Sequence, residues 1–347
     1  MPRWRPAYAA LVASPGPFLQ HPVVERDLGR VELALRAAVE AEDPFLTQVA
    51  SHLIEAGGKR GRPLFAVGAA ATAGDQVSAA TDDVIQGGVA VELVHLGSLY
   101  HDDVMDDATT RRTVESVNAR WGNLQAILAG DYLLARASEI AASLGTEVAG
   151  LLARTIARLC EGQVLELQHT YDPARTEADY LRSIEGKTAS LYATACRIGS
   201  LTAGLAPDHV QALTGFGLAY GMAFQVVDDI LDVTATDDQL GKPAGHDLIE
   251  GVYTLPVLRT LAGGGDEAAE LRALLGGPLD EDGMHQARAI VRGSGEVASS
   301  LATAEGYVEQ ACTALVPLGP GEAAGLLAGQ ARHLLEGVRS IATDATV

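Results

Sequence analysis

The chain has 347 residues, 48% of them hydrophobic and 20% charged, with 25 Lys+Arg against 45 Asp+Glu for a formal charge of -20. That length can bury a sizeable core, as one large domain or two modest ones. The acidity argues against binding a nucleic-acid phosphate backbone but leaves local basic pockets and metal ions open.

Three cysteines, Cys160, Cys196 and Cys312, are scattered without a C-x-x-C pair. They read as buried reduced thiols in a cytoplasmic protein. The N-terminal stretch "MPRWRPAYAALVASPGPFLQ" has prolines where a signal peptide needs an unbroken apolar run. No run of about 18 or more apolar residues marks a transmembrane segment.

Apolar spacings of three and four predict helices, in chain order, over 26–56, 63–74, 82–107, 120–143, 146–170 and 177–204, then over 208–234, 252–263, 266–275, 282–293, 295–315 and 320–342. Strand-like alternation is almost absent, and Ala and Leu abound where sheet would favour β-branched residues. The breaks carry Gly, Pro, Asp or Thr, as in "GGKRGRP", "YDPART", "GLAPDH" and "GKPAGHD". The expectation is all-α: one domain over 1–347, its core about 25–340, built as a single large helical bundle. Beyond residue 264 glycine rises and polar motifs vanish, so that part reads as scaffold.

Chemistry concentrates at "YHDDVMDDATTRR", residues 100–112. On a helix, Asp102 and Asp106 share a face, with Asp103 and Asp107 one step round. Like charges at that spacing repel, and a helix C-terminus adds to the cost. A bound cation removes the conflict, and oxygen-only ligands favour a hard ion such as Mg²⁺. Alone, such a cluster reads as a solvated helix end. The spacing recurs, however, at "FQVVDDILDVT" (224–234), as Asp228, Asp229 and Asp232 after another apolar helix. Two such helices facing across a cleft would hold several Mg²⁺ ions, an arrangement suited to a diphosphate.

With these motifs the chain resembles the trans-polyprenyl diphosphate synthases over roughly residues 25–340. The landmarks stand in order: "GGKRGRP" at 57–63, "ELVHLGSLYHDDVMDDATTRR" at 92–112, "GNLQAILAGDYLLARA" at 122–137, "GKTASL" at 186–191, "FQVVDDILD" at 224–232 and "GKPAGHDLIEGVYTLPVL" at 241–258. The resemblance implies an isoprenoid-synthase-like bundle around a deep central cavity. The implied reaction joins isopentenyl diphosphate to an allylic diphosphate (dimethylallyl, geranyl, farnesyl or geranylgeranyl) and releases pyrophosphate. The leaving group gathers negative charge, so metal ions and cationic side chains carry the catalysis.

By resemblance, Asp102, Asp106 and Asp228 ligate Mg²⁺, three ions in all, while Asp103, Asp229 and Asp232 orient ligands or bound water. Lys59, Arg62, His95 and Arg112 look like the isopentenyl diphosphate site, which has no metal and needs clustered cations. Arg111, Lys187, Thr188, Gln225 and Lys242 look like the allylic site. Arg60, inside the same motif, is harder to place. The family often carries lysine where this chain has Val252, which removes one supporting cation. Family members usually dimerise near the first motif, so a homodimer is implied.

The implied product tunnel runs beneath the first cluster, gated by Gly97 and Ser98, five and four residues before Asp102. Bulky aromatics there give short products in the family; small residues predict a long-chain synthase, C30–C50, with a C20 (geranylgeranyl) enzyme as alternative. A class I terpene cyclase shares the first motif, but a second "DDILD" and a basic "GGKRGRP" count against it. A phosphohydrolase using His101–Asp102 would need further metal-binding histidines. A non-catalytic subunit tends to lose its aspartates, and both clusters are intact here.

Overall fold

The computed structural model describes residues 16–236 and 244–344. Residues 1–15 of the N-terminal stretch, and Lys242, lie outside the described residues.

The helix expected over 26–56 is two, α1 (Pro22–Ala38) and α2 (Pro44–Glu55). Asp43 and Pro44 make the break. Asp43 caps α2, accepting from the backbone N–H of Phe45 and Leu46. Pro44, which has no N–H to give, fits the first turn and no later one. Then come α3 (Gly61–Ala71) and α4 (Asp82–Met105). Buried residues occur on every side of α4, as befits a central helix, and it packs against α1 and α3.

A short antiparallel hairpin follows, β1 (Thr110–Arg111) and β2 (Val114–Glu115), with Arg111 opposite Val114. It is the only strand pairing among the described residues. Its two turn residues, Arg112 and Thr113, both have positive φ, 53° and 67°, the sign that a two-residue hairpin turn requires. After it run α5 (Val117–Trp121), α6 (Asn123–Ser143), α7 (Thr146–Gln168) and α8 (Glu177–Ile184). Thr176 and Asp179 form a capping box at the start of α8.

The expected helix over 177–204 is interrupted by a π-helical turn, Glu185–Ala189, before α9 (Ser190–Thr202). The long α10 (Pro207–Thr234) carries the second aspartate cluster and is followed by α11 (His246–Glu250) and α12 (Leu255–Gly263). The C-terminal helices are α13 (Gly265–Leu274), α14 (Glu281–Gly293), α15 (Glu296–Ala314) and α16 (Glu322–Asp344).

Helices α4, α9 and α10 form the interior, with α6 laid along α4 and α15 along α10. By length and composition α10 could cross a membrane, but 61% of its most apolar window is buried inside the protein. Gly217 and Gly221 let α10 approach α9 and the π-helical turn before it closely: an added Cβ would lie 2.6 Å from the Tyr192 carbonyl or 2.5 Å from the Ala189 Cα. Phe65, Tyr192, Phe216 and Tyr220 interlock α3, α9 and α10. One expectation needs correction: of the three free cysteines only Cys196 is buried, Cys312 is partly covered, and Cys160 is exposed.

Candidate active site

The two aspartate helices deliver their C-terminal ends to one cavity of about 390 Å³, whose lining includes Asp106 and Asp107 after α4 and Asp229 of α10. The acidic residues have diverged in role. Asp103 is fully buried and is gripped by Arg111 from the hairpin, Nε to Oδ1 at 2.6 Å. Asp106 is pushed up to about 6, by burial first and then by the Glu250 carboxylate. Burial likewise raises Asp102, against the pull of Lys187 and Arg111.

On α10, Asp229 is buried and accepts from Tyr180 Oη at 2.5 Å and Gln225 Nε2 at 2.9 Å. Burial raises its pKa despite these two donors. Gln225 also accepts from Thr188 Oγ1 at 2.7 Å, so Thr188, Gln225, Asp229 and Tyr180 form one chain of hydrogen bonds. Asp232 is buried and accepts from the Asp247 N–H at 3.3 Å. Asp228 stands on the neighbouring face, within electrostatic reach of Lys59.

Lys187 and Thr188 owe their placement to the π-helical turn. There the backbone touches α7 directly: a Cβ on Gly162 would fall 2.5 Å from the Lys187 amide nitrogen, and one on Gly186 would fall 2.8 Å from the Arg158 carbonyl. The extra residue in a π turn re-aims side chains, and such turns concentrate at functional sites. Lys187 Nζ reaches Glu166 Oε1 at 2.7 Å. Burial works against its charge, but Glu166, Asp102 and Asp106 hold its pKa above the ordinary lysine value.

The two arginines of "GGKRGRP", Arg60 and Arg62, lie near His95. Arg62 Nη1 lies 3.2 Å from His95 Nε2 and its guanidinium sits 4.6 Å from the centre of the Tyr192 ring. Burial, then Arg62, Arg112, Arg111 and Arg60, drive the His95 pKa well below its usual value. The imidazole is therefore neutral and accepts from Arg62. Arg112 donates to the carbonyls of Leu53 and Gly57, and burial lowers Lys59. Arg60 finds its place as a structural residue: buried, it pairs with Glu32 at 2.7 Å and Glu92 at 3.3 Å.

The two tunnel positions separate. Gly97 lies at the crossing of α4 and α6, where an added Cβ would sit 3.1 Å from the Gly130 carbonyl and 3.2 Å from Leu134. Its small size lets α4 and α6 approach closely at this point. Ser98 is half-buried, with Oγ donating to the His95 carbonyl at 2.9 Å.

Sequence reasoning missed several cavity residues: Gln163 and Glu166 of α7, Arg175, Tyr180, and Asp247 and Glu250 of α11. Single polar residues in a helical pattern give no signal of which side faces a cavity. Among the described residues no three Asp, Glu, His or Cys side chains enclose a metal ion by themselves. The lining nonetheless has six carboxylates (Asp106, Asp107, Glu166, Asp229, Asp247 and Glu250) against two cations, Lys187 and Arg175. Such oxygen donors fit a hard divalent ion that keeps water or substrate oxygens among its ligands.

The sequence pattern of the family described as polyprenyl synthetase matches residues 43–291. The chain is 41% identical over 304 residues to a nonaprenyl diphosphate synthase of Mycobacterium tuberculosis, covering 87% of this chain and 90% of that one. It is 41% identical over 313 residues to heptaprenyl diphosphate synthase component 2 of Geobacillus stearothermophilus, covering 89% and 95%. Its fold matches a polyprenyl synthase from Caulobacter crescentus, complexed with calcium and isoprenyl diphosphate, with a TM-score of 0.84 and 33% identity over 96% of this chain and 99% of that one. The all-α chain belongs to the polyprenyl synthetase family.

Proposed function

We propose that the protein is a trans-polyprenyl diphosphate synthase that extends an allylic diphosphate with isopentenyl diphosphate to a long-chain product, C30–C50. The carrying observation is the shared cavity: Asp106 and Asp229, from two separate D-D-x-x-D helices, line it together with Lys187, Thr188 and Gln225. The allylic C–O bond breaks and its electron pair leaves with pyrophosphate. The double bond of isopentenyl diphosphate attacks the resulting cation, and the proton lost from the new product goes to the departing pyrophosphate.

Asp102, Asp106 and Asp228 would hold Mg²⁺, which when bound neutralises the diphosphate and stabilises it as a leaving group. Asp103 and Asp229, held by Arg111 and by Tyr180 with Gln225, orient that acidic rim. Lys187 meets the allylic diphosphate as a point charge. The Arg62–His95–Arg112 group, with Lys59, takes the isopentenyl diphosphate without metal, because guanidinium forks match phosphate oxygens. A neutral His95 leaves the Arg62 charge for the substrate.

The long-chain reading is supported by the names of the nonaprenyl and heptaprenyl relatives and by the small Ser98 one helical turn before the first cluster. We further propose a homodimer formed along α6, where Leu124, Ile127 and Leu128 make one exposed apolar stripe. Incubation of the purified chain with farnesyl diphosphate, labelled isopentenyl diphosphate and Mg²⁺, followed by chromatography, tests the reading. Products of C30 or longer are expected. A product that stops at C20 refutes the long-chain assignment, and no turnover by the single chain refutes a self-sufficient enzyme.

A further inference from the structure

Arg175 lies in the connection between α7 and α8 and is only 4% exposed. A buried guanidinium normally has a carboxylate beside it, since desolvation of the charge is costly. Here Nη1 donates to the Tyr253 carbonyl at 3.2 Å and Nη2 to Ser183 Oγ at 2.6 Å, while the guanidinium carbon is 5.6 Å from the centre of the Tyr180 ring. All three partners are neutral. Among the described residues no carboxylate lies within salt-bridge reach of Arg175, and its buried Nε has no acceptor.

The same residue lines the acidic cavity, where Glu166 and Asp229 supply longer-range compensation. The other cation in the lining, Lys187, is already bonded to Glu166. Arg175 is also tied to the backbone immediately beside Val252, which lines the cavity with an uncharged side chain. An Arg fork with donors to spare, held rigidly at the wall of a cavity, is built to receive an anion.

We infer that Arg175 is a diphosphate-binding residue of this cavity, taking an oxygen of the pyrophosphate group and providing the charge that Val252 does not. This rests on the reading of the cavity as a diphosphate site. The competing structural role is a staple joining α8 to the start of α12 through Ser183 and Tyr253.

Calorimetric titration with magnesium pyrophosphate tests the inference on the full chain, with thermal unfolding measured in parallel. Arg175→Met should weaken binding roughly 10-fold or more, the effect of losing a charge-assisted hydrogen bond. Arg175→Lys should retain part of the affinity, and adding Val252→Lys to the Met variant should recover it. Unchanged affinity in Arg175→Met overturns the inference. So does a loss of affinity that follows thermal stability and is recovered by neither lysine. Wild-type protein that fails to bind magnesium pyrophosphate would instead overturn the functional reading, and this inference with it.

Discussion

The contact between Gly162 and the π-helical turn gives the sharpest test of how the site is positioned. In Gly162→Ala the new methyl group would lie 2.5 Å from the Lys187 amide nitrogen and 2.8 Å from the Ser183 carbonyl. Both neighbours are backbone, so no rotamer change can relieve them. The turn must move away from α7 by roughly 1 Å to restore ordinary van der Waals contacts. Overpacking of this kind costs about 1–3 kcal/mol, a loss of a few degrees in melting temperature that leaves the protein folded. The displaced turn carries Lys187, 2.7 Å from Glu166, and Thr188, 2.7 Å from Gln225. A misplacement near 1 Å at a catalytic group lowers turnover about 100-fold. Steady-state kinetics with the allylic substrate should therefore show kcat/KM falling by about two decades in a variant with near-native circular dichroism. Gly306→Ala, where an added Cβ has nothing within 4 Å, is the control and should be neutral or slightly stabilising. Wild-type kcat/KM in Gly162→Ala would show that the close contact does not set the position of Lys187.

Ser98→Phe should shorten the product while turnover survives, read by chromatography, whereas Gly97→Phe should destabilise the fold by driving α4 from α6; equal shortening by both would refute the separation of their roles. His95 has a depressed pKa, so the unfolded chain binds more protons than the native state once pH falls toward the ordinary histidine value of 6.5. The stability it contributes is present above that value and lost on acidification; a His95→Gln variant should show a flatter melting temperature between pH 7.5 and 5.5, roughly spanning the histidine titration. Removing divalent ions with a chelator should abolish turnover and leave helicity intact, and light scattering of Leu124→Glu/Leu128→Glu should report monomers.

The helices are legible in the sequence because Ala- and Leu-rich segments keep the 3.6-residue period, and the acidic rims because the same spacing occurs twice. The break at Asp43–Pro44 was also written there, as a cap followed by a residue that cannot donate, but the continuous apolar pattern masked it. The hairpin at 110–115 left no trace, since Arg112 and Thr113 adopt positive φ without glycine. The division of labour among adjacent aspartates was equally hidden. Asp103 and Asp229 are claimed by Arg111 and by Tyr180, and the second partner is 49 residues away. Glu166, Arg175 and Glu250 were missed for a related reason: each is one polar residue whose direction depends on how distant helices pack.

All five non-glycine residues with positive φ among the described residues, Arg60, Asp107, Arg112, Thr113 and Tyr171, occur in the connections that surround the cavity and the His95 cluster. Each such conformation costs of order 1–3 kcal/mol and persists because its surroundings impose it. Protein designers should therefore not expect the aspartate motif to work when transplanted onto an unrelated helical bundle. Without the connections that enforce those unfavourable torsions, the grafted segment would relax, and Arg111 and Arg112 would swing away from their assigned directions.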